Sequence, residues 1–121
     1  MLLVLASVVA AGFLYVPTRT TVSRIAMRAE EIEVIRQPEV AWLEEKGVFA
    51  WGTWGCEASS FPWSYSESEQ CYLLEGDVTV TPSDGREAAS FGKGDFVTFP
   101  AGMSCTWEVR KAVRKHFRFF D

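Results

Sequence analysis

Apolar positions follow two regimes along the chain. From Leu2 to Val16 they run almost unbroken, with only Ser7 and Gly12 intervening. From Glu30 onward they come in short runs cut by Gly, Pro and Asp. Residues 30–36 alternate loosely, Ile32 and Val34 against Glu31 and Glu33, which predicts a first strand. Residues 38–46 open on Pro38 and Glu39 and close on Lys46 before Gly47, the start and stop signals of one short helix. Residues 48–56 form a β-type run whose glycines suggest a bulge or a close backbone approach. Residues 71–74 and 78–81 flank Glu75-Gly76-Asp77 and read as two short antiparallel strands around a glycine turn. Further strands are predicted at 87–91, 96–99, 104–109 (ending near Arg110-Lys111) and 113–120. Many short strands between such turns predict an all-β sandwich or barrel carrying one short N-terminal helix.

The length of 121 residues, 48% hydrophobic and 14% aromatic, suits one small domain. Setting aside a leader of residues 1–28 leaves about 90 residues, which bury roughly 60–65% of their unfolded surface. The formal charge is −4. Arg19, Arg24 and Arg28 lie in the leader, so nine of the 12 basic residues face all 16 acidic ones in the remainder, a net of −7. That acidity, with no basic stripe, argues against nucleic acid as a partner. Arg110, Lys111, Arg114, Lys115 and Arg118 form the one basic cluster, which reads as a solvated strand face. Cys56, Cys71 and Cys105 close no disulfide framework, and with a single histidine in the chain no zinc spacing exists. They read as reduced thiols in a core.

The run from Leu2 to Val16 is short of the ~20 residues that span a bilayer, so no stable membrane association is expected. It fits a secretory h-region, with Ala10-Ala11-Gly12 as small residues for cleavage before Phe13. Residues 13–28 are rich in Ser, Thr and Arg and free of acid. Together the two parts resemble the presequences of algae with secondary plastids, which implies plastid delivery by a secretory-type route. Secretion, or cytoplasmic residence after initiation at Met27, are the alternatives.

Two spacings carry a family resemblance. Trp63-x-Tyr65-x3-Glu69-x6-Gly76 resembles the first motif of the cupin superfamily, in which histidines stand at the positions of Trp63 and Tyr65. Gly94-x5-Pro100-x-Gly102-x2-Cys105 resembles the second motif, with Cys105 at its histidine and Val109 at its final position, usually Asn. With Cys105-Thr-Trp107 and Val113-Arg-Lys-His116, these blocks are similar to the small single-domain (S)-ureidoglycine aminohydrolase-type cupin domain. The resemblance implies a double-stranded β-helix, the jelly-roll barrel, over residues 29–121, and names a fold more than a reaction.

Strand parity puts Trp63, Tyr65, Glu69, Cys71 and Leu73 on one face if the loop at 65–69 keeps register. The resemblance points that face into the barrel, with Cys105, Trp107 and Val109 on the opposite wall. The expected result is an aromatic ligand pocket formed by Trp63, Cys71, Cys105 and Trp107, with Glu69, Tyr65 and Lys115 as catalytic candidates. Glu69 among aromatics is a candidate acid/base; its alternative is a strand-end carboxylate facing solvent. Lys115 shares the parity of Phe117 and Phe119, and either reaches Glu69 or snorkels from the rim. His116 falls on the outer parity.

Cupin metal sites commonly use three imidazoles and a carboxylate. Here the indole of Trp63 offers no lone pair, Tyr65 holds its proton, and Glu69 with Cys105 makes too few ligands, so no metal and no cofactor is expected. The leading reading is a small-molecule-binding protein or a metal-independent enzyme. A metal-dependent ureidoglycine aminohydrolase-like enzyme and a dimerising interaction module, using Trp51 and Trp54 for a homodimer contact, are the alternatives.

Overall fold

A computed structural model describes residues 30–120. The leader reading lies outside them. Within them the chain forms β1 (Glu33–Ile35), α1 (Val40–Lys46), a 3-10 turn (Val48–Ala50), β2 (Gly52–Cys56), β3 (Ser59–Ser64), β4 (Ser68–Pro82), β5 (Ala89–Gly92), β6 (Phe96–Phe99) and β7 (Ser104–Phe120). No described helix is long and apolar enough to cross a membrane.

The spine is an antiparallel ribbon of β4 and β7, paired from Ser68↔Phe120 to Pro82↔Cys105. Each long strand changes its outer neighbour partway. The first half of β4 pairs with β6 and the second half with β5, while the first half of β7 pairs with β3 and the second half with β2. This yields two layers, β5–β4–β7–β3 and β1–β6–β4–β7–β2, with the core between them. The architecture is a mostly β cupin-like jelly roll with one short helix.

Two sequence-based expectations need correction here. Gly76 is not a hairpin turn: residues 71–74 and 78–81 belong to one strand and pair with the same partner, β7. Glu75-Gly76-Asp77 is instead a bulged stretch where the β4–β7 register shifts. Its effect shows in the burial pattern. Glu69, Cys71 and Leu73 are buried before it, and Val78 and Val80 after it, so the inward parity of β4 flips from odd to even. One extra residue moves every later side chain to the other face, and that slip keeps both halves of β4 pointing into the core. Gly76 takes φ +128°, and a Cβ there would meet the Val113 Cα at 3.0 Å. Nor does β7 end at Arg110-Lys111. Those side chains point outward, and Arg110 donates to Asp77 Oδ1 and Thr79 Oγ1, each at 2.7 Å, across the ribbon.

A third difference is local: the first part of the 48–56 run is the 3-10 turn, and strand begins only at Gly52. The turn follows Gly47, which closes α1 in the left-handed region at φ +75°. Leu43 and Val48 are thereby packed on Phe96, on the outer face of β6. Lys46 completes the last helical turn, near the negative end of the dipole, with its ammonium 4.9 Å from the Trp42 ring.

The segment after β1 is fastened by Asp95. Its buried carboxylate accepts from Arg36 Nη1 (3.1 Å), Gln37 N (3.3 Å), Gln37 Nε2 (3.1 Å) and Gly92 N (2.9 Å). A charge with that many donors tolerates burial.

Candidate functional site

The register of β7 builds one wall of a cavity between the layers. Lys115 stands between Leu73 of β4 and Trp54 of β2, and Trp107 between Val80 of β4 and Phe61 of β3. Phe61 and Trp107 stack with ring centroids 6.0 Å apart and planes 15° apart, and Trp54 meets both rings edge-on. On the far side Tyr65 stacks on Phe99 at 4.9 Å and 8°. The rings of Trp54, Phe61, Tyr65 and Trp107, with Trp63, Phe117 and Phe119, line a cavity of about 220 Å³ whose charged lining groups are Glu69 and Lys115.

Glu69 and Lys115 are both buried, and Lys115 Nζ donates to Glu69 Oε2 at 2.6 Å. The ammonium also lies over the rings of Trp107 (4.7 Å), Trp54 (5.3 Å) and Phe117 (5.9 Å). A buried pair needs its remaining polar capacity satisfied to offset desolvation. Here, among the described residues, Nζ makes this one hydrogen bond and Oε1 makes none, yet no buried side-chain N or O atom is sealed without a partner. The unused valences of the pair therefore face the cavity. Tyr65 presents a third polar group: its hydroxyl accepts from Trp107 Nε1–H at 3.1 Å and keeps its own proton for donation. Burial, and then the Glu69 charge, hold that hydroxyl well above the usual phenol range.

Of the residues singled out from sequence, Glu69, Tyr65, Lys115, Trp63 and Trp107 line this cavity. Cys71 and Cys105 lie beside it rather than on its wall. Cys71 is fully buried where β4 faces Phe117, and burial pushes its thiol up to about 12, with nearby Lys115 opposing and Glu69 adding to the shift. Cys105 points its Sγ at the Trp63 carbonyl, 3.6 Å away, and burial lifts it to about 11. Neither thiol is primed as a nucleophile. His116 faces the Trp51 carbonyl at 3.1 Å, away from the cavity lining.

Sequence reasoning leaves Trp54 and Phe61 out of the site. It offers Trp54 for a subunit contact; that ring also lines the cavity, a place that follows from its pairing with Lys115, a long-range register that no local pattern encodes. Phe117 and Phe119 are recognisable, since they share the parity of Lys115.

The fold class raises the question of a metal, and the donors present do not fit one. The carboxylate that would ligate is already held by an ammonium, Trp63 offers no lone pair, and Tyr65, Cys71 and Cys105 all keep their protons at neutral pH. No group of three or more His, Cys, Asp or Glu placed to hold an ion occurs among the described residues.

Paired long strands folded into two layers of a jelly roll are the architecture of a cupin. The chain belongs to the EutQ-like cupin domain family, whose model matches residues 43–117. Among solved structures it is similar to a DUF861 family protein of Thermotoga maritima, at 42% identity and a TM-score of 0.70, covering 74% of this chain and 100% of that one. It is also similar to a putative ethanolamine utilization protein Q of Salmonella typhimurium, at 25% identity and a TM-score of 0.51, over 57% of this chain and 55% of that one. The EutQ protein of Clostridium difficile shares the fold at 19% identity and a TM-score of 0.51, over 74% of this chain and 67% of that one. No curated protein matches the chain.

Proposed function

We propose that the protein binds a small, mostly apolar molecule in its aromatic cup and does so without a metal, with Glu69, Lys115 and Tyr65 as polar contacts. The observation that carries this reading is the 2.6 Å Lys115–Glu69 pair, whose unused hydrogen-bonding capacity opens onto an aromatic cavity of about 220 Å³. Small-molecule sites share this build, apolar walls with a few convergent polar groups. An apolar cavity of about 150 Å³ accommodates benzene, so the cup suits a single ring with a short substituent. The pair carries no net charge, which favours a neutral ligand over a net ion.

The resemblance to the ureidoglycine aminohydrolase-type domain supplies the alternative, a metal enzyme acting on a ureido compound. It calls for donors that the cup does not offer. One experiment separates the two readings: a thermal-shift screen of neutral one-ring compounds on the full-length chain, alongside elemental analysis of protein from metal-supplemented medium. The proposal expects hits that vanish in Glu69→Gln, each variant read against its own unliganded Tm, and well under one equivalent of transition metal. Stoichiometric metal that is lost in Glu69→Ala would replace it with the alternative.

A further inference from the structure

A lysine sealed in a core as a structural charge would have its N–H groups distributed over backbone carbonyls or side-chain acceptors. Lys115 instead donates to a single carboxylate oxygen, and its other two N–H groups look onto ring faces and the cavity. The carboxylate has one oxygen on the ammonium, and among the described residues the other has no hydrogen-bond donor. This is an amine with its own proton acceptor at 2.6 Å, set in an apolar cup large enough for a compact ligand. Resting on the reading of the cup as a ligand site, we propose that Lys115 captures small neutral aldehydes or ketones as a reversible imine, with Glu69 moving the protons.

The step balances within the pair. Glu69 takes one proton from the Lys115 ammonium, which frees the Nζ lone pair to attack the carbonyl carbon. The C–N bond forms as the carbonyl π bond breaks, and a proton passes from nitrogen to oxygen to give the carbinolamine. Glu69 returns its proton to that hydroxyl, which leaves as water while the nitrogen lone pair closes the C=N bond. The sum is aldehyde plus Lys-NH₃⁺ giving protonated imine plus water. One positive charge enters and one remains, and no oxidant or reductant is needed.

The surroundings suit the product as well as the reactant. The protonated imine keeps a cation where the rings of Trp107 and Trp54 already attract one, with the Glu69 carboxylate beside it as counter-ion. The Tyr65 hydroxyl, whose proton is uncommitted, can donate to the carbonyl or carbinolamine oxygen. The aromatic walls select a flat apolar substituent on the carbonyl.

The test treats the full-length chain with benzaldehyde and cyanoborohydride, which reduces imines to stable benzylamines, and maps the labelled lysines by peptide mass. Lys93 and Lys111, both exposed, are internal controls for non-specific reaction. Benzamide, which has similar size and cannot form an imine, reports access to the cup through saturable shifts of the Trp54 and Trp107 indole N–H signals. The proposal expects Lys115 to be labelled at least tenfold faster than Lys93 or Lys111, and at least tenfold slower in Glu69→Gln. Labelling of Lys115 no faster than the controls, with benzamide still binding, overturns the imine and leaves the ligand site standing. Failure of both benzamide binding and labelling overturns the site itself. Equal capture by wild type and Glu69→Gln removes Glu69 from the proton path. The wild-type selectivity decides the matter even where Glu69→Gln fails to fold.

Discussion

Lys115 and Glu69 do not face each other across the ribbon, yet their charged atoms lie 2.6 Å apart. Glu69 is paired with Phe119 and Lys115 with Leu73, four positions away along β7, with Cys71↔Phe117 between them. Both side chains are buried, and their charged ends meet across that intervening pair. The consequence is that the pair bridges the cup instead of sitting at one strand crossing, so both charges line the same ligand space.

Removing either charge leaves the other buried alone, with side-chain exposures of 7% for Lys115 and 4% for Glu69. Glu69→Gln or Lys115→Met by itself is expected to cost ~3–5 kcal/mol, whereas the double substitution should return most of that loss, because a buried pair is often replaceable by neutral groups. Urea unfolding of the four proteins forms a double-mutant cycle that measures this. Single variants within 1 kcal/mol of wild type would mean that the pair is well hydrated, and the ligand reading would lose its dry cup.

Tyr65→Phe keeps the ring stacked on Phe99 and removes the one acceptor that Trp107 Nε1–H has among the described residues. A buried indole N–H left without a partner costs about 1–3 kcal/mol. The expected result is a stability loss of that size. Ligand hits that depend on the hydroxyl should weaken, while those that rest only on ring contact persist. If Tyr65→Phe changes neither stability nor the pattern of hits, the hydroxyl has no part in the site.

The strand content and the inward set on β4 and β7 were legible because alternation is local: Trp107, Val109, Lys115 and Phe117 announce their shared face over a few residues. The site was legible to the same extent, Glu69 and Lys115 through parity and Tyr65 through the motif. What stayed hidden was set at long range. Gly76 carries the same signal whether it makes a turn or a bulge; only the shared partner β7, some 30 or more residues away, distinguishes them. Trp54 and Phe61 enter the cup because β2 and β3 both add to β7, a choice made by packing. Burial of the Cys71 thiol beside the pair, and of Cys105 against the Trp63 carbonyl, rather than in the cavity wall, likewise depends on side-chain packing between layers.

Gly76 tests whether the bulge depends on close packing against Val113. Its φ of +128° disfavours any side chain, and an alanine Cβ would stand 3.0 Å from Val113 Cα and 3.1 Å from Val113 Cβ and Cγ2. Backbone strain of ~1–3 kcal/mol adds to that crowding. Gly85 provides the control, with φ +91° and no atom within 4 Å of the place a Cβ would take, so Gly85→Ala bears the conformational penalty alone. Gly76→Ala should therefore lower the urea midpoint clearly more than Gly85→Ala does. Equal losses would show that Val113 yields without cost and that close packing at the bulge is dispensable.

The buried thiols give the fold an alkaline limit. In the folded chain burial raises Cys71 from 9.0 to about 12 and Cys105 from 9.0 to about 11, so both stay protonated where the unfolded chain releases its protons. The sign follows from proton counting: above pH 9 the unfolded state binds fewer protons than the folded one, and stability falls as pH rises. Below pH 9 the contribution is fully present; it is lost progressively toward pH 11 to 12, at ~1.4 kcal/mol per pH unit for each thiol. Tyr65, also raised from its ordinary 10.0, steepens the fall above that value. Unfolding free energies measured at intervals from pH 8 to 10.5 should be level at first and then decline. Cys71→Ala should start lower, because it leaves a small void, but decline less steeply by about one thiol's share. A slope unchanged by Cys71→Ala would show that this thiol ionises as readily in the folded chain as in the unfolded one, and that Cys71 is not sealed beside the Lys115–Glu69 pair.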